Sequence, residues 1–208
     1  MDLIVAACRV LANRHRLHLL QAVFTHPNSH VAALAANVGL PPDIASQQLK
    51  LLGSFHFIHA RPKGRYVLHQ TARPDDVSSP FLRDVLALLQ RALAHKALTP
   101  CGAWQTESQQ KRDYELIRTF TTYTHLRRLV ILRNLAARTN CTALELGQLV
   151  HMSPAATRRH LEKLKRRGVV RSDGETTDSW RLEHQMEGVL PRDMLRIILR
   201  ALQVPARV

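Results

Sequence analysis

Arg158, Arg159, Lys163 and Arg166 stand within the stretch SPAATRRHLEKLKRRGVV at residues 153–170. An arginine guanidinium can fork two N–H groups onto O6 and N7 of guanine, and arginine or lysine can pair with phosphate oxygens. That chemistry needs a helix that presents the cations together. Ser153 is suited to an N-cap, and Pro154 to the first helical position, where no backbone N–H is required. Thr157, Leu161 and Leu164 recur at i, i+4 and i+7 and predict one buried stripe. Arg158, Arg159, Glu162, Lys163 and Arg166 lie off it. Gly168 ends the helix, and Val169-Val170 opens an extended run. A helix N-terminus favours phosphate, so the expected ligand of this stretch is a phosphate polymer with base edges on offer. The competing reading is a solvated basic helix on an ordinary helical domain.

Upstream, residues 144–150 read as a short helix and His151-Met152 as a turn, which completes a helix-turn-helix pattern. The formal net charge of the 208 residues is +14, shared as +6 in residues 1–100 and +8 in residues 101–208. A charge that large and that evenly spread points to a polyanionic partner, nucleic acid or an anionic membrane. No run approaches the roughly 18 apolar residues that a membrane-crossing helix needs. Asp2 precedes the first apolar run without a basic segment, so a signal peptide is not expected. Cys8, Cys101 and Cys141 are odd in number and widely spaced, which suits a reducing, cytoplasmic compartment and no disulfide framework.

The chain repeats itself at an offset of 112 residues. Arg16–Leu20 falls on Arg128–Leu132. Leu34, Val38, Pro42, Leu49 and Leu52 fall on Leu146, Val150, Pro154, Leu161 and Leu164, and Phe57-Ile58 on Val169-Val170. A two-residue insertion is then expected, matching Tyr66 and Leu68 to Trp180 and Leu182. Arg83-Asp84 finally matches Arg192-Asp193. Each copy reads as helix, helix, short helix, turn, recognition-type helix, hairpin, helix. Copy one spans 1–98, with elements near 3–12, 15–24, 31–38, 42–55, 57–69 and 80–97. Copy two spans 108–208, with elements near 109–121, 124–137, 142–150, 154–167, 169–183 and 191–203. Residues 99–107, with Pro100 and Gly102, read as a linker. The expected fold class is mainly α (α+β).

Leu11–Leu20, the run Ser46–Leu52, and the hairpin Arg61–Leu68 together resemble the winged-helix core of ArsR-type bacterial repressors. Residues 153–172 are similar to the wider ArsR and MarR winged-helix group. The resemblance implies two tandem winged helix-turn-helix domains. Because the family's members are typically homodimers paired through first and last helices, it also implies a covalent pseudo-dimer. The expected state is a monomer, with a homodimer as the alternative.

By that resemblance, base edges are read from the first turns of the recognition helix. In copy two these positions are Ser153, Ala155, Arg158, Arg159 and His160, with Lys163 and Arg166 on phosphate. In copy one they include Asp43, Ser46, Gln47 and Gln48, with Lys50 as the added charge. The copy-one wing carries Arg61, Lys63 and Arg65 around Gly64, a phosphate or minor-groove probe. The copy-two wing carries Asp173, Glu175 and Asp178, which would repel a DNA backbone and face either a protein partner or solvent. The family's two metal sites have no counterpart: no Cys-x-Cys pair stands at the third helix, and Leu86 fills a ligand position beside Asp84 and His95. His15/His18 and His56/His59 have the spacing of ligand pairs but read as ordinary histidines. No metal or other cofactor is expected, and no catalytic motif, so no enzyme. The expected function is sequence-specific binding of double-stranded DNA as a transcriptional regulator, a repressor by family resemblance. The alternative is a protein-interaction or assembly module on the same scaffold.

Overall fold

The computed structural model describes residues 1–93, 107–138, 140–173 and 178–203. The expected linker, save Glu107, lies outside the described residues, as do His95, Cys101 and Gly174–Thr177 of the second hairpin. The described chain is mainly helical, with two small antiparallel sheets. Its first half runs α1 (Asp2–Leu11), α2 (Arg14–Thr25), β1 (Ser29–His30), α3 (Val31–Val38), α4 (Pro42–Ser54), β2 (Ile58–Lys63), β3 (Tyr66–Thr71) and α5 (Pro80–Leu93), with a 3-10 turn over Pro74–Asp76. Its second half runs α6 (Glu107–Thr122), α7 (Leu126–Ala137), β4 (Cys141–Thr142), α8 (Ala143–Leu149), α9 (Pro154–Arg166), β5 (Val170–Ser172), β6 (Ser179–Leu182) and α10 (Val189–Ala201). The sheets are ordered β1-β3-β2 and β4-β6-β5.

Residues 9–117 form one compact unit, and residues 1–8 with 118–208 form the other. In the first unit α2 packs on α3, α4 and α5, and the sheet leans on α2 and α4. Leu17, Leu20, Leu34, Leu49, Leu52 and Phe57 are buried there. In the second unit α7 packs on α8, α9 and α10, around buried Leu129, Leu132, Leu146, Leu161, Leu164 and Val169. Local chemistry starts these helices. The Asn13 side chain accepts from the N–H of Arg16, and Thr142 with Glu145 forms a capping box.

The hairpins correct the expected alignment. Ala60 pairs with His69 and Ile58 with Thr71, whereas Ser172 pairs with Trp180 and Val170 with Leu182. Trp180 therefore stands where His69 stands, not Tyr66, and the second hairpin is one residue shorter rather than two longer. Burial decides it: His69 is 6% exposed and Trp180 3%, whereas Tyr66 is 45% exposed. Shifting a strand by an odd number of residues would turn its buried face outward.

One device occurs in both units at equivalent positions. Arg16 donates through Nε to the Val10 carbonyl and through Nη2 to the Arg9 carbonyl at 3.1 Å. Arg128, 112 residues on, donates through Nη1 to the carbonyls of Thr121 at 3.1 Å and Thr122 at 3.0 Å. Both guanidiniums sit on the carbonyl end of the preceding helix, where carbonyls without an intrahelical donor and the helix dipole favour a cation. Each thereby fixes the angle between the first two helices of its half.

The first unit also holds a polar cluster that has no counterpart at the equivalent places. Asp113 on α6, 3% exposed, accepts from or pairs with His18 Nε2 at 2.6 Å, Arg112 Nη2 at 3.6 Å and Arg14 Nε at 3.9 Å. Arg112 Nη2 also donates to Gln21 Oε1 at 3.1 Å. At the positions equivalent to Arg14, His18 and Asp113 stand Leu126, Val130 and Met1. Residues 1–8 bring buried Ile4, Val5, Ala7 and Cys8 to the second unit instead. There burial, and then the neighbouring Cys8, push the Tyr123 phenol up.

Arg128→Met keeps the apolar stem and removes the charged donor from two carbonyls. Urea unfolding should show a loss of about 1.5–3 kcal/mol, the usual worth of hydrogen bonds to a charged group. Arg16→Met should behave alike, and no change in either variant would mean that water replaces the guanidinium without cost.

Candidate nucleic-acid interface

The helix-turn-helix of the second unit is α8, the turn Val150–Ser153 and α9. The turn needs a close crossing. A Cβ on Gly147 would stand 2.9 Å from the Met152 carbonyl oxygen and 3.2 Å from Thr157 Oγ1, so glycine lets the turn pass over α8. Met152 N–H donates to that same residue's carbonyl at 2.9 Å. His151 holds a left-handed φ of 53°, where the first unit has Gly39 at 70°. Ser153 accepts from the N–H of Ala156 at 3.3 Å, and buried Thr157 donates to the Ser153 carbonyl at 3.0 Å. The cap leaves the Ser153 hydroxyl hydrogen to donate outward.

Ser153, Ala155, Arg158, Arg159, Lys163 and Arg166 are all exposed on α9, so the fold brings the expected cations to one side of one helix. His160 departs from the expectation. It is half-buried, its ring 4.7 Å from that of His125 at the start of α7. Its pKa is lowered to about 4, by burial first and then by His125, Arg128, Lys163 and Arg127. Gln48, the equivalent residue of α4, is also turned inward and accepts from Arg16 Nη1 at 2.7 Å. The reason is helical phase. Positions 48 and 160 lie next to the buried stripe and face the second helix of their own half, α2 for Gln48 and α7 for His160. On α4, Gln47, Lys50 and Asp43 are exposed and Ser46 is half-buried.

The first wing projects Arg61, Lys63 and Arg65, all exposed. The Arg65 guanidinium lies 4.9 Å over the Tyr66 ring, which stacks on His30 at 5.3 Å. His30 Nδ1 in turn accepts from the N–H of Ala33 at the start of α3, which ties the hairpin to that helix. In the second wing two of the three acidic groups are ion-paired. Asp173 pairs with Arg181 at 2.6 Å, and Asp178 pairs with Arg158 at 3.2 Å. Glu175 lies outside the described residues.

The histidine pairs singled out by spacing do not converge. His18 is engaged by Asp113 and His59 by Asp76 at 3.4 Å. Cys8 and Cys141 are buried and unbridged, and burial pushes both thiols up. Among the described residues no helix is long and apolar enough to cross a membrane.

The family model for winged helix-turn-helix DNA-binding domains matches residues 124–171, which run from the start of α7 into β5. No curated protein and no solved structure matches the chain. Residues 124–171 are a winged helix-turn-helix DNA-binding domain, and the exposed cations of α9 lie on its recognition helix.

His160 is neutral in the folded state well below the ordinary histidine pKa of about 6.5. A depressed histidine pKa makes the unfolded chain bind the extra proton first. Its contribution to stability is complete above about pH 6.5 and is lost as pH falls toward 4. His160→Gln, the residue that the first unit uses here, should therefore lose less stability than the parent between pH 7 and pH 4.5 in parallel denaturant titrations. Equal losses would show that this ring does not set the acid limit.

Proposed function

We propose that this protein is a sequence-specific double-stranded DNA-binding transcriptional regulator of ArsR type. In this reading two tandem winged-helix copies in one chain act as an intramolecular pseudo-dimer. The observation that carries the reading is the recognition helix α9. Its N-terminus is capped by Ser153, its outer face carries Arg158, Arg159, Lys163 and Arg166, and it lies within the winged helix-turn-helix match. Arg158 and Arg159 read base edges, while Lys163, Arg166 and the first wing's Arg61, Lys63 and Arg65 hold phosphates. The first unit adds Ser46, Gln47 and Lys50, a weaker reading surface with no arginine. The protein works by binding, not catalysis, as a repressor that occupies its site in the cytoplasm.

The twofold element order, α1 to α5 and again α6 to α10, supports the pseudo-dimer, as does the equivalence of Arg16 and Arg128. The two reading surfaces differ in residue type at most outward positions. A single chain would therefore meet a non-palindromic site, its unequal half-sites centred about 34–36 Å apart, with the stronger half under α9. The competing assembly-module reading is favoured by one feature, the absence of arginine from the outer face of α4. Binding to random duplex at two salt concentrations separates the two, because phosphate contacts make affinity fall steeply with salt.

Selection of bound duplexes from a random pool tests the proposal directly. Arg158→Ala or Arg159→Ala should cost about 1–3 kcal/mol on the selected site and relax one base position, whereas Lys163→Ala should weaken all sequences alike. Neutralising Arg61, Lys63 and Arg65 together should flatten the slope of log affinity against log salt by roughly two to three. Light scattering should give the 23.6 kDa monomer. A stable homodimer on a palindrome, or a pool that yields no preferred sequence, would overturn the corresponding part.

A further inference from the structure

Asp178 stands at the entry to β6 and is oriented before any ligand arrives. The Ala143 N–H, at the start of α8, donates to its Oδ2 at 3.1 Å. The indole Nε1 of Trp180 donates to its Oδ1 at 3.1 Å, and the Trp180 ring is itself 3% exposed and fixed in the core. Two donors from two elements thus hold the carboxylate in one orientation. Its Oδ1 is then presented to Arg158 Nη2 at 3.2 Å. Partial burial works against ionisation, yet the hydrogen bonds from Trp180, Ala143 and Arg158 hold the carboxyl below its usual range, so it stays charged.

We propose that Asp178 is a positioning residue that aims the Arg158 guanidinium at a base edge, so that the Asp178–Arg158 pair sets the sequence preference of α9. The inference rests on the base-reading role proposed above for Arg158. The Arg158 side chain is 59% exposed, and a long exposed arginine samples many rotamers. An exposed ion pair contributes little to stability, so what this one supplies is direction. The contact engages one Nη group, and a guanidinium has five N–H donors in a planar fork. Among the described residues its remaining donors have no partner, and they can fork onto guanine O6 and N7 while Asp178 holds the plane. The first unit carries the contrast. With the strand register as observed, Ser46 stands at the place of Arg158 and Val67 at the place of Asp178. At these two places arginine and aspartate are present together in one unit and absent together from the other.

The test compares the full-length parent with Asp178→Asn, Asp178→Glu, Arg158→Ala and the Arg158→Ala/Asp178→Asn double variant. The probes are the duplex selected from the random pool, the same duplex with single base pairs exchanged, and an unrelated duplex. Asp178→Glu keeps the charge and moves the carboxylate by one methylene, so it carries the test if the asparagine variant folds poorly. Both Asp178 variants should bind the unrelated duplex at least as well as the parent. Both should lose roughly tenfold in discrimination at one base pair, the same one that Arg158→Ala relaxes. The double variant should discriminate no worse than Arg158→Ala alone. Unchanged discrimination in both Asp178 variants would overturn the positioning role while leaving the reading by Arg158 intact. So would tighter, more selective binding, which would mean that Asp178 withholds the arginine. If Arg158→Ala itself discriminates like the parent, the base-reading role fails, and this inference with it.

Discussion

An arginine on the carbonyl end of a helix is the contact on which both halves of the molecule depend. Arg16 and Arg128 each donate to two carbonyls in the last turn of the preceding helix. Such a contact is directional in a way that leucine packing is not, because the guanidinium plane and the carbonyl dipoles must line up. It sets how the second helix leaves the first. In the first unit the same side chain reaches on to Gln48, so one residue joins the end of α1, the start of α2 and α4. In the second unit Arg128 lies near His160, and charge from Arg128 is one of the causes that keep that ring neutral.

With the frame held in this way, the outward positions of α4 and α9 are free to differ. Arginine pairs stand on α9 where serine and glutamine stand on α4. The wings differ in the opposite sense. The first wing is short-turned, basic and braced by the Arg65–Tyr66–His30 stack. The second pairs Asp173 with Arg181 of its own hairpin and Asp178 with Arg158 of α9. Such pairing matters locally, since carboxylates left without a partner would oppose the field of the α9 cations.

The Asp113 cluster is the other place where the halves part. A buried carboxylate with histidine and arginine partners costs desolvation of every member, and such groups are a better guide to specificity of pairing than to stability. In the first unit it selects what can pack beside Arg14, His18 and Gln21. In the second unit the residues brought by the segment 1–8 are apolar, and the selection there rests on shape.

The helical elements, the stripe Thr157–Leu161–Leu164 and the cationic side of α9 were legible in the residues alone. Amphipathic spacing and capping chemistry are local, and a local rule can be read along a chain. The same holds for the equivalence of Arg16 and Arg128, visible at the offset of 112, although not for what the two arginines touch. Tertiary structure decided the rest. Strand register put Trp180 in the place of His69, because the face of a strand is chosen by what buries it and not by a likeness between aromatic residues. It turned His160 and Gln48 inward, since their rows on the helix face a neighbour that lies more than 20 residues away in sequence. It also brought Asp178 to Arg158 and Asp113 to His18. Those pairs join carboxylates to an arginine and a histidine 20 and 95 residues away, and no pattern within a single element encodes which partner a carboxylate will meet once the chain is closed.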